Sequence, residues 1–219
     1  MADDVPLVPQ YRDLIVYGGR PKFDDLAGEV ERRLEAPWSR DHEMERSERL
    51  LPGGSYRVFN RAETEASPGL NLFLIADDDD VEVANVVPTG GRDELTREEY
   101  NDSVAEFHGR FLADAASTLA LEVRIGATDL DLSDVLDEAT FRALLAFSRA
   151  SNKATGSSHP SDRERWFAFI LGVHGSRPEL STGDLQSWLV LDGWSEDVVF
   201  DLISEFEFAV GLLNYAARH

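Results

Sequence analysis

The segment from Ser148 to Arg163 carries the densest set of side chains that could do chemistry. It reads SRASNKATGSSHPSDR and holds Lys153, one of two lysines in the chain. Free amides at a helix start, with arginine and lysine nearby, form a site for phosphate or carboxylate. The sequence therefore predicts an anion-binding loop at 149–163. Its predicted ligand-binding residues are Arg149, Asn152, Lys153, Ser157, Ser158, His159, Arg163 and Arg165.

The same segment also suggests catalysis. His159 could act as a general acid or base, Asp162 could orient its ring, and Ser157 or Ser158 could supply a hydroxyl. Residues that are close in sequence often face different directions, and a loop whose polar side chains cap the backbone explains the same composition. Whether the chain is an enzyme stays open at this point, with His159 and Asp162 as candidate catalytic residues.

Several other chemistries are excluded or disfavoured by the sequence. There is no cysteine, which excludes disulfides, thiolate nucleophiles and cysteine-bound metals. No pair of histidines has zinc-motif spacing, and neither a phosphate loop nor a dinucleotide fingerprint occurs. The run Asp77–Asp80 is interpreted as a solvated hairpin turn, because a calcium loop needs spaced ligands and a turn glycine. We therefore expect no metal and no cofactor.

The charge is strongly acidic, with 42 Asp and Glu against 21 Lys and Arg and a net charge of −21. Such a surface repels nucleic acids and anionic membranes, so we expect no nucleic-acid binding by the surface as a whole. An acidic surface of this kind suits a basic protein partner. Adaptation of the host to salt or to GC-rich codons explains the same composition without any partner.

No feature of the sequence directs the chain to a membrane. There is no run of about 18 apolar residues, and Met1–Asp4 lacks the basic region that precedes the apolar core of a signal peptide. The sequence therefore predicts cytoplasmic residence.

The N-terminal half shows the pattern of a sheet covered by helices. Runs at 56–59, 70–75 and 81–87 predict an antiparallel β-meander. Further predicted elements are a short strand near 14–17, a helix from Phe23, a charged helix or loop at 39–51 and a strand at 121–125. Thr96 to Glu99 matches a capping box, and the apolar stripe behind it predicts a helix that covers the sheet.

From Gly126 onward the pattern is helical. The segment 136–149 predicts one helix, a capping box at Ser161–Glu164 predicts a second, and two more are predicted before Gly193 and after Ser195. The predicted fold class is α+β, in which an N-terminal antiparallel β-meander with covering helices precedes a C-terminal all-α bundle. The predicted domains are 1–126 and 127–219.

Two blocks of the sequence resemble a family of bacterial proteins of unknown function. One is FSRASNKATGSSHPSDRERWFAF at 147–169, and the other is Asn85-Val-Val-Pro88 ahead of Glu99-Tyr100-Asn101. The resemblance spans most of the chain and implies no activity.

Three functional hypotheses follow from the sequence. The first is a cytoplasmic binding or regulatory protein, antitoxin-like or immunity-like, whose acidic surface engages a basic partner and whose 149–163 loop binds an anion. The second is an enzyme for a phosphorylated or nucleotide-like substrate, with His159 as general acid or base. The third is a subunit of a larger assembly, which requires a contiguous exposed apolar face.

Overall fold

The computed structural model describes residues 5–46 and 56–219, which form two compact units. One unit is Gln10–Thr128, and the other joins residues 5–9 to Asp129–His219. Sequence reasoning assigned residues 5–9 to the N-terminal domain. They belong with the helical unit because β1 (Val8–Pro9) pairs antiparallel with β8 (Asp129–Leu130), which buries Val8 among apolar side chains of the helices.

The first unit contains a six-stranded antiparallel sheet, which includes the predicted meander. In spatial order its strands are β3 (Trp38–Arg40), β4 (Tyr56–Arg61), β5 (Leu70–Asp77), β6 (Asp80–Pro88), β2 (Leu14–Tyr17) and β7 (Glu122–Ile125). The consecutive strands β4, β5 and β6 are the three runs recognised in the sequence. Val58 of β4 pairs with Phe73 of β5, and Leu72 of β5 pairs with Val86 of β6.

The acidic run at 77–80 forms the predicted hairpin turn. Asp77 pairs with Asp80 across the end of β5 and β6, and Asp78 has φ of 40° in the left-handed region that aspartate tolerates. The Asp80 carboxylate accepts a hydrogen bond from the Gly18 amide at 2.7 Å. Within residues 5–46 and 56–219, no cluster of three His, Asp or Glu side chains could hold a metal ion.

Helices cover this sheet. They are α1 (Phe23–Glu31), α2 (His42–Glu45), α3 (Arg97–Phe107) and α4 (Ala113–Thr118), with a π-helical turn at His108–Leu112 between the last two. The Thr96 capping box is confirmed, since Thr96 Oγ1 accepts from the Glu99 amide at 3.2 Å and Glu99 Oε2 from the Thr96 amide at 2.8 Å. Residues 47–54 of the predicted charged segment and of the loop after it lie outside the described residues.

The second unit is helical. Its helices are α5 (Leu132–Val135), α6 (Glu138–Ala150), α7 (Pro160–Ser176), α8 (Thr182–Leu191) and α9 (Glu196–Ala216). The predicted four helices are α6 to α9, and the rings of Phe147, Trp166, Phe169 and Phe206 pack against one another in their core. The α+β fold class is thus confirmed.

The start of α7 differs from the sequence interpretation. His159 rather than Ser161 is the N-cap, and Pro160 occupies the first helical position, where its lack of an N–H costs nothing. The His159 Nδ1 atom accepts a hydrogen bond from the Ser161 amide at 3.2 Å. The capping box predicted at Ser161–Glu164 is therefore wrong. In the described part of the chain, no helix has the length and apolar character needed to cross a lipid bilayer.

Candidate functional site

The loop between α6 and α7 is tied to the corner between α8 and α9 by one carboxylate. Lys153 Nζ donates to the Asp192 carbonyl oxygen and, at 2.8 Å, to Asp192 Oδ2. The same Oδ2 accepts from the Ser148 hydroxyl and from Trp194 Nε1, the latter at 3.2 Å. Because the lysine ammonium is bound to Asp192, Lys153 holds the loop in place.

Other polar side chains of the loop also bond to the protein itself. Asn152 Oδ1 accepts from the Ala154 amide at 2.9 Å, and the Ser157 hydroxyl donates to Glu205 of α9 at 3.2 Å. Gly156 is buried with φ of +64°, and a Cβ there would meet a Val198 methyl at 2.9 Å. Glycine is required because the loop passes so close to α9.

His159 and Asp162 form hydrogen bonds with different partners. His159 caps α7, whereas Asp162 Oδ1 accepts from Arg165 Nη1 at 2.8 Å, three residues later on the same helix. Asp162 is buried, and Ser158 is exposed. No hydrogen bond of the triad type links these described side chains, so the catalytic hypothesis receives no geometric support.

The predicted cationic residues are only partly brought together. Arg149 and Lys153 line a pocket with a volume of about 460 Å³. Arg165 is paired with Asp162, and Arg163 is exposed on the first turn of α7. Neither Arg163 nor Arg165 lines this pocket, and neither do the predicted ligand residues Asn152, Ser157, Ser158 and His159.

The pocket beside Arg149 contains polar groups that sequence reasoning missed. Ser151 and Trp188 line it, and within the described residues Ser151 Oγ and Trp188 Nε1 are buried without a hydrogen-bond partner. Asp192 also lines it and is separated from Lys153 by 39 positions. No local sequence signal could have connected residues so far apart.

A second feature, which sequence reasoning also missed, is an apolar groove between α7 and α9. Its volume is about 360 Å³. We call it the α7–α9 groove. Its lining residues are Phe167, Ile170, Leu171, Glu205, Phe208, Ala209, Leu212 and Leu213. Four of them are largely exposed: Phe208 by 72%, Leu171 and Leu212 by 56% each, and Phe167 by 43%.

The groove exists because α9 has apolar residues on two of its sides. One side buries Val199, Leu202 and Phe206 against the other helices. The other side presents Phe208 and Leu212 to solvent. The signal for the groove was therefore in the sequence, as apolar residues of α9 outside the stripe that packs against the other helices.

The charges beside the groove are one-sided. Helix α9 carries Glu196, Asp197, Asp201, Glu205 and Glu207 and contains no Lys, Arg or His. Glu205 itself lines the groove. On α7, Arg163 and Glu164 precede Phe167 by about one turn and offset each other. The potential around the groove is therefore negative on the α9 side.

Another cleft, of about 730 Å³, lies where α7 and α9 end. Arg177 and Arg218 line it together with His174. Cations at the carboxyl ends of helices are stabilised by the helix dipole, and Arg218 Nε donates to the Asn214 carbonyl of its own helix at 3.1 Å. This bond accounts for Arg218, whereas the His174 Nδ1 atom is buried without a hydrogen-bond partner among the described residues. Comparison with models of known families, with curated proteins and with solved structures finds no match to this chain.

Proposed function

We propose that the chain is a non-enzymatic, cytoplasmic binding or regulatory protein that engages a basic protein partner through the α7–α9 groove. The observation that carries this proposal is the exposure of Phe208, Leu171 and Leu212 in one apolar groove beside a helix whose charges are all negative. Contiguous exposed apolar surface with a polar rim is typical of protein-binding sites. An antitoxin-like or immunity-like role agrees with such a surface.

The two properties of the groove have separate roles in this function. Large exposed side chains such as Phe208 supply affinity, because aromatic anchors dominate the energy of protein interfaces. The carboxylates of α9 supply orientation and a fast encounter with a positively charged surface. A partner without basic residues would lose the second contribution and keep the first.

The anion-binding role of the 149–163 loop is retained in the proposal for Arg149 and Lys153. Both line the pocket that also contains the buried, unpartnered Ser151 hydroxyl. Lys153 has one ammonium proton beyond its two bonds to Asp192. The enzyme hypothesis has weaker support, because His159 and Asp162 are each engaged with a different partner.

The test is affinity capture from host lysate by the full chain, carried out at about 0.05 M and about 0.5 M NaCl. Three versions are compared: the wild type, Phe208→Asp and Phe200→Asp. Phe200 is a matched control, since it lies on the same helix, is 71% exposed and does not line the groove. We expect a basic protein that the wild type and the Phe200 variant capture at low salt and the Phe208 variant does not.

Two results would count against the proposal. One is that all three versions capture the same proteins, and the other is that no captured protein depends on the salt concentration.

The exposed groove also favours the third hypothesis, a subunit of an assembly of identical chains. Light scattering coupled to size-exclusion chromatography distinguishes the two, because self-assembly gives a mass above the 24.4 kDa of one chain that Phe208→Asp reduces.

A further inference from the structure

The backbone around the α7–α9 groove limits what can bind there. Its lining residues all belong to α7 or α9, so their N–H and C=O groups are used within those helices. No strand edge is present in the groove to pair with an extended peptide. An extended segment would place its own unpaired backbone groups against apolar side chains, which is unfavourable, whereas a helix satisfies its backbone internally.

The spacing of the exposed side chains agrees with a helical occupant. Phe167 and Leu171 are four residues apart on α7, and Phe208 and Leu212 are four residues apart on α9. Four residues span about 6 Å along a helix axis. Apolar side chains at positions i and i+3 or i+4 of an incoming helix have the same spacing and can insert between these ridges.

We infer that the partner presents an amphipathic α-helix, with apolar residues one turn apart and Lys or Arg beside them, which lies in the α7–α9 groove. This inference rests on the proposed function and specifies the element that binds. The basic flanks follow from Glu205 in the groove wall and from the absence of any Lys, Arg or His on α9. A second copy of the chain would bring another acidic α9 against the first.

The probes are three synthetic peptides of about 18 residues, a length at which helices become stable enough to compare. The first has leucines at i, i+3, i+4 and i+7 spacing and lysines elsewhere. The second replaces the lysines by glutamates. The third is identical to the first except that prolines replace two central lysines, which breaks the helix. Binding is measured by fluorescence anisotropy at about 0.15 M NaCl, where the Debye length is about 8 Å.

The protein variants separate specific docking from general attraction to an acidic surface. Phe208→Asp and Phe200→Asp add the same charge to the same helix, and only Phe208 lines the groove. We expect Phe208→Asp to raise the Kd of the helical lysine peptide by about tenfold or more, and Phe200→Asp by less than about twofold. Circular dichroism verifies that both variants keep the helical content of the wild type.

Each result has a defined meaning. Tight, Phe208-dependent binding of the helical lysine peptide and weak binding of the other two supports the inference. Equal binding of the proline peptide overturns the helical occupant and leaves the proposed function standing, and equal binding of the glutamate peptide overturns the basic flanks. If both variants bind like the wild type, or if no peptide binds, the groove is not the docking site and the inference fails. A Phe208-dependent dimer in light scattering overturns it in favour of a second copy.

Discussion

The side chain of Asp192 links the 149–163 loop to the corner between α8 and α9 by hydrogen bonds. Its Oδ2 atom accepts hydrogen bonds from Lys153, Ser148 and Trp194. Trp194 is buried and stacks on Phe147 with ring centroids 4.9 Å apart. Loss of this acceptor would leave donors inside the helical unit with fewer partners, which is costly.

We therefore expect Asp192→Ala to lower the free energy of unfolding by about 1–3 kcal/mol. Asp192→Asn should cost less, because the amide oxygen can still accept from Trp194 or Ser148. Urea unfolding followed by circular dichroism measures both. Asp201→Ala is the control, since Asp201 is exposed on α9, and it should change stability by less than about 0.5 kcal/mol. An Asp192→Ala protein as stable as this control would show that the network contributes nothing.

Asp137 gives the chain a specific pH dependence. As the N-cap of α6 it accepts hydrogen bonds from the hydroxyl and amide of Thr140, at 2.6 and 3.0 Å, and from the Ala139 amide. These bonds lower its pKa from 3.8 to about 2. Since the charged form is favoured in the folded state, its contribution to stability is complete above pH 3.8 and is lost as the pH falls through about 2.

The measurement compares the wild type with Asp137→Asn by urea unfolding at several pH values between about 5 and 2. We expect the wild type to exceed the variant in stability most at the upper end, and the difference to shrink as the pH falls. The Asn variant retains a capping oxygen, so the comparison isolates the charge. A difference that stays constant over this range would mean that the capping bonds do not depend on ionisation.

At the scale of elements, the packing of α6 against α7 depends on one glycine. A Cβ on Gly172 of α7 would lie 2.6 Å from Thr140 Oγ1 and 3.1 Å from the Thr140 methyl group of α6. Thr140 is buried, and its hydroxyl is bonded to Asp137, so it cannot move aside easily. Gly175, on the same helix, has nothing within 4 Å of an added Cβ.

This contrast predicts opposite effects of the same substitution. Gly172→Ala should destabilise the chain by about 1–3 kcal/mol, because the two helices must separate or Thr140 must leave its rotamer. Gly175→Ala should be neutral or stabilise it by about 0.5–1 kcal/mol, because alanine is the better helix former. Chemical unfolding of both variants is the measurement. Equal effects of the two would indicate that α6 and α7 do not approach this closely.

The elements that sequence reasoning predicted are those with local signals. The Thr96 capping box, the meander of β4 to β6 and the four C-terminal helices depend on residues within one segment. The position of β2 between β6 and β7 depends on pairing with Arg124, more than a hundred residues from Ile15, and has no local pattern. The start of α7 was misplaced because a histidine N-cap is not among the usual capping residues.

The candidate site was less predictable than the fold for the same physical reason. The loop at 149–163 was singled out by its composition, but the partner of Lys153 is Asp192, which the sequence gives no means to identify. The groove depends on which side of α9 faces the other helices. The carboxylates of α9 lie away from its buried stripe, so the sequence indicates which side packs. It does not indicate that Phe167 and Leu171 of α7 lie beside Phe208 and Leu212 of α9, because that contact depends on how the two helices pack.

At the scale of the whole molecule, the net charge of −21 affects stability as well as partners. Even if every Lys and Arg were paired with a carboxylate, 21 acidic groups would remain without a basic counterpart. Exposed ion pairs such as Arg142–Glu138 contribute about 0–1 kcal/mol each. We therefore expect the repulsion among the unbalanced carboxylates to exceed the attraction within the ion pairs. Because salt screens both, added salt should favour the compact state.

We accordingly expect the thermal midpoint to rise when NaCl is increased from about 0.01 to about 0.3 M, and to change little beyond that concentration. Charge screening has this saturating form because the Debye length falls from about 30 Å at 0.01 M to about 10 Å at 0.1 M, after which few repulsive pairs remain unscreened. A steady rise up to molar salt would instead indicate that salt acts through apolar surface. Differential scanning calorimetry across the series separates the two, and a midpoint that falls over the low-salt range would show that ion pairs, and not repulsion, dominate the electrostatics of the chain.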